Sequence, residues 1–170
     1  MPSQFNHVAY ACRDAAETTK FYTEVIGLRF TQIYVNDYVP STKEYCPHCH
    51  VFFELPDGSS IAFFEAPLLG DIQRDPRTSS WIEHVAMEVD SIEDFERHRK
   101  RLDDHGIEYL GPMIHKEGQR SVYFFDPNGL RLEFIYPVAE TAERNPRDAL
   151  EAWVKRKEKT ADWHKLAATA

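Results

Sequence analysis

Two segments of the chain, residues 5–12 and 82–89, alternate apolar and polar positions in the way that half-buried β-strands do. Each is followed by a segment whose apolar residues recur at helical spacing, and then by three more strand-like segments. These later strands are predicted at 28–36, 50–55 and 60–66 in the first half, and at 107–111, 121–126 and 130–136 in the second. The pattern therefore predicts a βαβββ unit that is used twice.

The same short motif opens both predicted units, because His-Val-Ala occurs at His7 and again at His84. Later in each half, a turn containing glycine leads into a strand that carries a glutamate, Glu65 in the first half and Glu133 in the second. Self-similarity of this kind is typical of a duplicated structural unit. We therefore predict an α+β fold built from two βαβββ modules.

The helix of the second unit is predicted to begin at Ser91, a suitable capping residue with Asp94 three residues further on. The apolar residues expected to pack against the sheets are Phe21, Tyr22, Val25 and Ile26 in the first unit and Ile92, Phe95 and Leu102 in the second. Both predicted helices are therefore amphipathic and cover one face of a sheet.

The elements divide the chain into four parts, which are a first module (1–67), a polar linker rich in turn-forming residues (68–80), a second module (81–137) and a helical tail (138–170). Within the tail, Asn145-Pro146 predicts the start of a charged helix over 147–167. We expect this helix, which carries Trp153 and Trp163, to pack on the outside of the domain or on a partner chain.

The charge balance narrows the range of partners, because 28 acidic residues outnumber 20 basic ones and give a net charge of −8. Such a chain has no excess of cations for a nucleic acid or an anionic membrane surface. No apolar run approaches the roughly 20 residues of a membrane span, and the N-terminus lacks a secretory signal pattern. The three cysteines do not suggest a disulfide framework. We expect a cytoplasmic protein that binds a small molecule.

Strand alternation places the repeated histidines and a glutamate on the face of the sheet that the helices leave uncovered. In the second unit the apolar residues that alternate with His84 along the strand are expected to pack under the helix. We therefore expect His84 and Glu133 on the opposite face. If the two sheets face one another, His7 joins them, with Glu65 as a candidate fourth residue. Two imidazoles and a carboxylate suit Fe(II), and the wider set also suits Mn, Ni, Co or Zn.

The double βαβββ arrangement, with the segments FNHVAY, IEHVAM and YFFDPNGLRLEF, resembles the vicinal oxygen chelate superfamily. This superfamily includes glyoxalase I, extradiol ring-cleaving dioxygenases, methylmalonyl-CoA epimerase, fosfomycin-resistance enzymes and metal-free bleomycin-binding proteins. The resemblance covers about residues 4–137 and implies that the two modules form a cupped, barrel-like mixed sheet with a metal site. It does not fix the reaction, because one scaffold hosts many chemistries.

The resemblance to extradiol dioxygenases implies an Fe(II) site held by His7, His84 and Glu133. Those enzymes carry a tyrosine ten residues before the ligand glutamate, where this chain has Tyr123, and a histidine eight or nine residues earlier still, where it has His115. Tyr123 would hydrogen-bond the bound diol, and His115 would act as acid and base. The alternatives for these two residues are a packing aromatic and a solvated loop histidine.

The resemblance to glyoxalase I implies a different ligand set, in which Glu65 joins the other three residues and a glutamate moves a proton between carbon atoms. An epimerase would work in a closely related way. A fosfomycin-type enzyme would need cations for a phosphonate, for which Arg120 and Arg131 are candidates. A metal-free binding protein is disfavoured because the three principal ligands are all present.

Aromatic residues in the predicted strands favour the dioxygenase, because a flat apolar substrate fits a pocket walled by rings. About half of them should face the cup. The residues concerned are Phe52, Phe53, Phe63, Phe64, Tyr123, Phe124 and Phe125.

The segment Cys46-Pro-His-Cys-His50 lies in the extra length of the first half. It could bind zinc, but no second pair of ligands follows at zinc-finger spacing. We expect instead a mobile loop over the mouth of the site that shapes the substrate pocket, and we expect Cys12 to be a buried core thiol.

Modules of this family pair either within one chain or across two chains, and the sequence leaves both arrangements open. We expect a homodimer.

Overall fold

The computed structural model describes residues 1–71, 78–115, 118–137 and 145–159. Its strands are β1 His7–Ala11, β2 Arg29–Tyr38, β3 Tyr45–Glu54, β4 Ser60–Glu65, β5 His84–Glu88, β6 Tyr109–Ile114, β7 Gln119–Phe125 and β8 Arg131–Pro137. Its helices are α1 Ala15–Lys20, which continues into a wider, π-type segment at Phe21–Ile26, then α2 Ile92–Asp104 and α3 Pro146–Lys159. A short 3₁₀ turn covers Pro67–Leu69.

The eight strands form two mixed four-stranded sheets of identical topology. Sheet 1 has the order β1-β4-β3-β2, and sheet 2 has the order β5-β8-β7-β6. In each sheet the first and last strands of the module pair in parallel, and the remaining pairs are antiparallel. The predicted α+β fold with two βαβββ modules is therefore confirmed.

Local signals in the sequence explain where the helices of the modules begin and end. The Asp14 carboxylate accepts a hydrogen bond from the backbone N–H of Glu17 at 2.7 Å, and the Ser91 hydroxyl accepts one from Asp94 at 3.0 Å. Each capping side chain satisfies an N–H that the helix leaves without a partner. The first helical segment ends at Gly27, whose φ of 89° favours glycine.

A single hydrophobic core serves both modules. The sheets contribute Val51, Phe53, Ile61, Phe63, Val122, Phe124, Leu132 and Phe134, and the helices contribute Phe21, Tyr22, Val25, Ile26, Phe95 and Leu102. We call the side of each sheet that contacts this cluster the core face. The opposite side, which carries His7 and Ala9 in sheet 1 and His84 and Ala86 in sheet 2, is the open face.

The turn between β7 and β8 ties the two modules together. Asp126 accepts hydrogen bonds from the backbone N–H of Asn128 at 2.8 Å and from the Tyr22 hydroxyl at 3.2 Å. The Asn128 amide donates in turn to the Thr18 hydroxyl at 3.1 Å. Burial raises the pKa of the Asp126 carboxyl, and these hydrogen bonds act in the opposite direction. The Asp-Pro-Asn-Gly motif is therefore a buried connection from the second module to the first helix.

The chain divides into two compact units, Met1–Val138 and Ala139–Ala170. In the second unit α3 begins at Pro146, as Asn145-Pro146 predicts, and its Leu150 and Trp153 are exposed. The predicted continuation to residue 167, with Trp163, lies outside the described residues, as do residues 72–77 of the predicted linker. No helix in the described ranges is both long enough and apolar enough to cross a membrane.

Candidate metal centre

The open face of sheet 2 brings one histidine and one glutamate together. His84 lies on β5 and Glu133 on the parallel neighbour β8, and the Nε2 atom of His84 is 3.1 Å from Oε2 of Glu133. Glu133 is only 4% exposed, whereas 31% of the His84 side chain is exposed. A buried carboxylate needs a partner of opposite charge or a hydrogen-bond donor. An imidazole nitrogen and a carboxylate oxygen this close together can both bind the same divalent metal ion.

Tyr123 and His115 lie directly beside this pair. Tyr123 on β7 pairs in register with Glu133, and its hydroxyl is 3.0 Å from Nε2 of His115, the residue after β6. Burial raises the pKa of the Tyr123 phenol, and the carboxylate of Glu133 raises it further. The phenol is therefore protonated at neutral pH, and it shares a hydrogen bond with Nε2 of His115 in which the donor depends on the His115 tautomer.

Arg131 completes this side of the open face. It pairs in register with His84, and its guanidinium carbon lies 4.4 Å from the centre of the Tyr123 ring. A cation over an aromatic face is attracted by the negative potential of the ring. The sequence suggested Arg131 only as a partner for a phosphonate. Its contact with the Tyr123 ring could not be predicted, because no sequence motif shows which ring an arginine in a strand will cover.

The open face of sheet 1 carries His7 in a cluster of rings. The His7 ring is 5.3 Å from the Phe52 ring and 5.8 Å from the His50 ring, in edge-on contacts. Its Nδ1 is 2.6 Å from the side-chain oxygen of Asn6. This contact favours a proton on Nδ1 and leaves the lone pair of Nε2 free, which is the usual state of a metal-binding histidine.

His7 does not meet His84 and Glu133 within a single chain. In the described part of the chain, no group of three His, Cys, Asp or Glu side chains is close enough to hold a metal ion. One chain therefore presents two partial sites, one on each open face.

Glu65 is not the counterpart of Glu133, which is a correction to the sequence prediction. In the parallel pairing of sheet 1, the position that corresponds to Glu133 is Ala62. Glu65 lies on the core face, where its Oε2 accepts a hydrogen bond from the backbone N–H of Ala15 at 2.7 Å. The positive end of α1 favours a carboxylate there. Glu65 thus has a hydrogen-bond partner at the start of α1, on the opposite side of sheet 1 from His7.

The strand aromatics divide between the two faces, as alternation predicts. Those on the open faces are Phe52, Phe64, Tyr123 and Phe125, and those in the core are Phe53, Phe63 and Phe124. Tyr34 of β2 adds an edge-on contact to Phe52, with ring centres 5.8 Å apart. The open face of sheet 1 therefore presents an aromatic wall next to His7.

The Cys46–His50 segment belongs to β3, so the expectation of a loop is wrong. His48 and His50 lie on the open face, and the His50 ring stacks on Phe64 at 3.6 Å. Among the described residues, Nε2 of His50 is buried without a hydrogen-bond partner, and burial lowers the pKa of this histidine. Counting back from Phe52 in steps of two would have placed both histidines on this face.

The cysteines are free thiols. Cys12 is 4% exposed, as expected for a core thiol, and burial raises its pKa to about 12. Cys49 is half-buried, and burial raises its pKa as well.

Comparisons with known proteins agree with this architecture. The family model described as "Glyoxalase/Bleomycin resistance protein/Dioxygenase superfamily" matches residues 4–134. No curated protein sequence matches the chain.

Solved structures with the same fold include a glyoxalase/bleomycin resistance protein/dioxygenase domain from Frankia sp. EAN1pec. It has a TM-score of 0.65 and 22% identity, covering 81% of this chain and 99% of that one. The fosfomycin resistance protein FosX from Listeria monocytogenes, solved with Mn(II) and sulfate, has a TM-score of 0.55 and 21% identity, covering 80% and 93%. A structure named "Oxidase ChaP-H2" has a TM-score of 0.57 and 25% identity, covering 84% and 100%.

Proposed function

Because the chain belongs to the glyoxalase/bleomycin resistance protein/dioxygenase superfamily, we propose that it is an extradiol-type dioxygenase that opens the ring of a catechol-like aromatic diol. Members of this superfamily are mostly metal-dependent enzymes. The observation that carries the proposal is the 3.0 Å hydrogen bond between Tyr123 and His115, beside the pair formed by His84 and Glu133. Such a group can bind a diol and also move its protons.

The proposed ligands of the metal are His84 and Glu133 of one copy and His7 of a second copy. This arrangement follows from the partial sites, because the described residues of one chain do not gather three donors. A two-fold symmetric dimer would contain two identical centres, each built from the open face of sheet 1 in one copy and of sheet 2 in the other.

The edge strand β2 supports a dimer. All ten of its residues are exposed, and several of them are large and apolar, namely Phe30, Ile33, Tyr34 and Val35. A long, exposed and apolar edge strand is a surface that folded proteins normally cover or avoid. A second copy would cover it.

Fe(II) is the proposed metal, and when bound it would supply positive charge that favours ionisation of the diol and open positions for small oxygen ligands. His115 takes the proton that a diol hydroxyl releases by way of Tyr123: the diol proton passes to the phenol oxygen while the phenol proton moves to Nε2 of His115. The Tyr123 phenol thus connects the diol to His115. Once His115 is protonated, its Nε2–H donates to the phenol oxygen, so the pair retains its hydrogen bond.

The aromatic wall of sheet 1 is the proposed contact surface for the substrate ring. Phe52 and Tyr34 meet edge-on, and His50 is fixed by its stack on Phe64. Rings fixed in this way offer flat, apolar area to an aromatic substrate and exclude water from the reacting oxygens.

A redox-neutral reaction of the glyoxalase type has less support. Its fourth ligand would have to be Glu65, which lies on the core face and binds the start of α1. The position that corresponds to Glu133 in sheet 1 is Ala62, which cannot bind a metal.

A cytoplasmic location is also part of the proposal. The three cysteines are free, and two of them are buried. Free thiols persist in reducing compartments, where disulfides are rare.

Oxygen uptake by protein loaded with Fe(II) under anaerobic conditions and then given a panel of catechols tests the proposal. We expect uptake together with a yellow ring-opened product. The His84→Ala variant should lose both, and His105→Ala is the matched control because this histidine is exposed at the end of α2. Absence of uptake with iron confirmed to be bound would refute the dioxygenase and redirect the search to redox-neutral substrates.

A further inference from the structure

Arg131 forms no ion pair with a carboxylate in the described part of the chain. Arg29, Arg97, Arg99 and Arg120 each form an ion pair with an aspartate or glutamate. Arg131 instead lies over the Tyr123 ring at 4.4 Å. Within those ranges no acidic side chain forms a direct ion pair with its guanidinium, and the nearby carboxylates are Glu133, two residues further along β8, and Glu83.

Arg131 is also on the face where the substrate is expected to bind. It lies two residues before Glu133 on β8, and it pairs with His84 across the sheet. Contact with a ring uses one face of the planar guanidinium and leaves the N–H groups at its edge available. These N–H groups form a fork whose geometry matches the two oxygens of a carboxylate.

A small cavity lies at this end of the open face. Its volume is about 100 Å³, and it is lined by Arg131, Phe125 and Gly129 together with the hydroxyl residues Thr78, Ser79 and Ser80. Glu83 also lines it, but this glutamate is exposed, so water screens its charge. The cavity has room for a substituent of a few heavy atoms beside the Arg131 guanidinium.

We propose that Arg131 binds a carboxylate carried by the substrate, so that the substrate class is a catechol-like diol with an acidic substituent. This inference rests on the proposed function. The diol oxygens would lie toward His84 and Glu133, while the carboxylate would lie toward Arg131 and the cavity. Arg131 is thus a specificity-determining residue, and it selects among diols by charge.

The test compares two ligands that differ only in charge, 3,4-dihydroxybenzoate and 3,4-dihydroxybenzamide. Protein loaded with Co(II) reports binding of either one through its visible spectrum, without any turnover. We expect the wild-type protein to bind the benzoate about ten- to a hundredfold more tightly than the amide, as a charge-assisted hydrogen bond would give. Arg131→Gln should remove this preference, and Arg97→Gln, which removes the same charge from the exposed side of α2, should keep it.

The ratio of the two affinities separates recognition from a structural role. If Arg131 only orients Tyr123, its loss weakens both ligands equally and leaves the ratio unchanged, which would overturn the proposal. Equal affinities in the wild-type protein would overturn it too, while leaving the metal centre and the dioxygenase standing. If neither catechol changes the Co(II) spectrum, the proposed function fails and this inference fails with it. Arg131→Lys, which keeps the charge without the fork, should give an intermediate ratio and serves if Arg131→Gln does not fold.

Discussion

Mixing two inactive variants tests whether each centre is built from two copies of the chain. His7→Ala removes the donor of the sheet 1 face, and His84→Ala removes one donor of the sheet 2 face. Each variant alone should bind almost no metal, because every centre of its dimer lacks one of three ligands. In a dimer that contains one copy of each variant, one centre carries both substitutions. The other centre combines the two unchanged faces and carries neither substitution.

The expected recovery follows from this geometry. If the two variants are unfolded together in equal amounts and refolded, about half of the dimers contain one copy of each. Since one of the two centres in such a dimer is intact, about a quarter of all centres should be restored. The metal content should therefore rise from near zero to about 0.25 ions per chain, against about one ion for the wild-type protein.

Metal analysis of the refolded and desalted mixture measures this recovery directly and does not depend on knowing the substrate. The matched control is a mixture of His84→Ala with Glu133→Ala. Both of these lesions lie on the sheet 2 face, so neither centre of a mixed dimer regains three ligands, and the metal content should stay near zero.

Two results would refute the reasoning. If the His7→Ala and His84→Ala mixture shows no recovery although mass spectrometry detects mixed dimers, the centre is not shared between copies in this way. If His7→Ala alone keeps a full complement of metal, His7 is not a ligand.

Three further predictions follow from individual residues. Glu65→Ala should leave the metal content unchanged and lower the free energy of unfolding by about 1–2 kcal/mol in urea denaturation, because the Ala15 N–H loses its acceptor; loss of metal would restore Glu65 to the ligand set. Tyr123→Phe should keep the metal but slow oxygen uptake about a hundredfold, because His115 loses its hydrogen-bonded phenol; an unchanged rate would assign the ring to packing. Between pH 9 and 12 the Cys12 thiol stays protonated in the folded protein but ionises in the unfolded chain, so stability should fall as the pH rises. In chemical denaturation, Cys12→Ala should show a weaker pH dependence over this range, and an equal dependence would contradict the raised pKa.

The fold was predictable because its signals are local and repeated. Alternation places His84 opposite the residues that pack under α2, and the spacing of Phe95 and Leu102 gives that helix its buried stripe. The Ser91 cap needs only a side chain and the backbone three residues later. Each of these signals depends on a few neighbouring residues, and each occurs where the structure has the corresponding element.

The two errors depend on register, which sequence patterns define poorly. Glu65 and Glu133 both close a module, but a strand residue changes face with every step, so an alignment error of one residue reverses the assignment. Glu65 falls on the same side as Phe63, which is buried. The Cys46–His50 segment looks like a loop because it contains a proline and potential zinc ligands, yet its backbone pairs with β2 and β4.

Strand patterns could not predict how His7 and His84, on the two open faces, are arranged relative to each other. Alternation shows that His7 and His84 lie on faces that the helices leave uncovered, but it does not show how those faces are arranged around the core. The structure has one core in contact with both sheets, and the described residues of one chain gather only two of the three proposed donors. This information is tertiary, so it could not be obtained from the sequence.

The duplication left two sheets of the same topology with different chemistry, and this asymmetry favours a centre with three ligands. Phe52 and Ala62 occupy the positions in sheet 1 that Tyr123 and Glu133 occupy in sheet 2. A centre made from one face of each kind therefore receives a histidine from both sheets but a carboxylate and a phenol from only one of them. Three protein ligands would leave a bound divalent metal ion more open to a diol and a further small ligand than four would. In the proposed dioxygenase, Ala62 therefore matters because it adds no fourth ligand at the position that corresponds to Glu133.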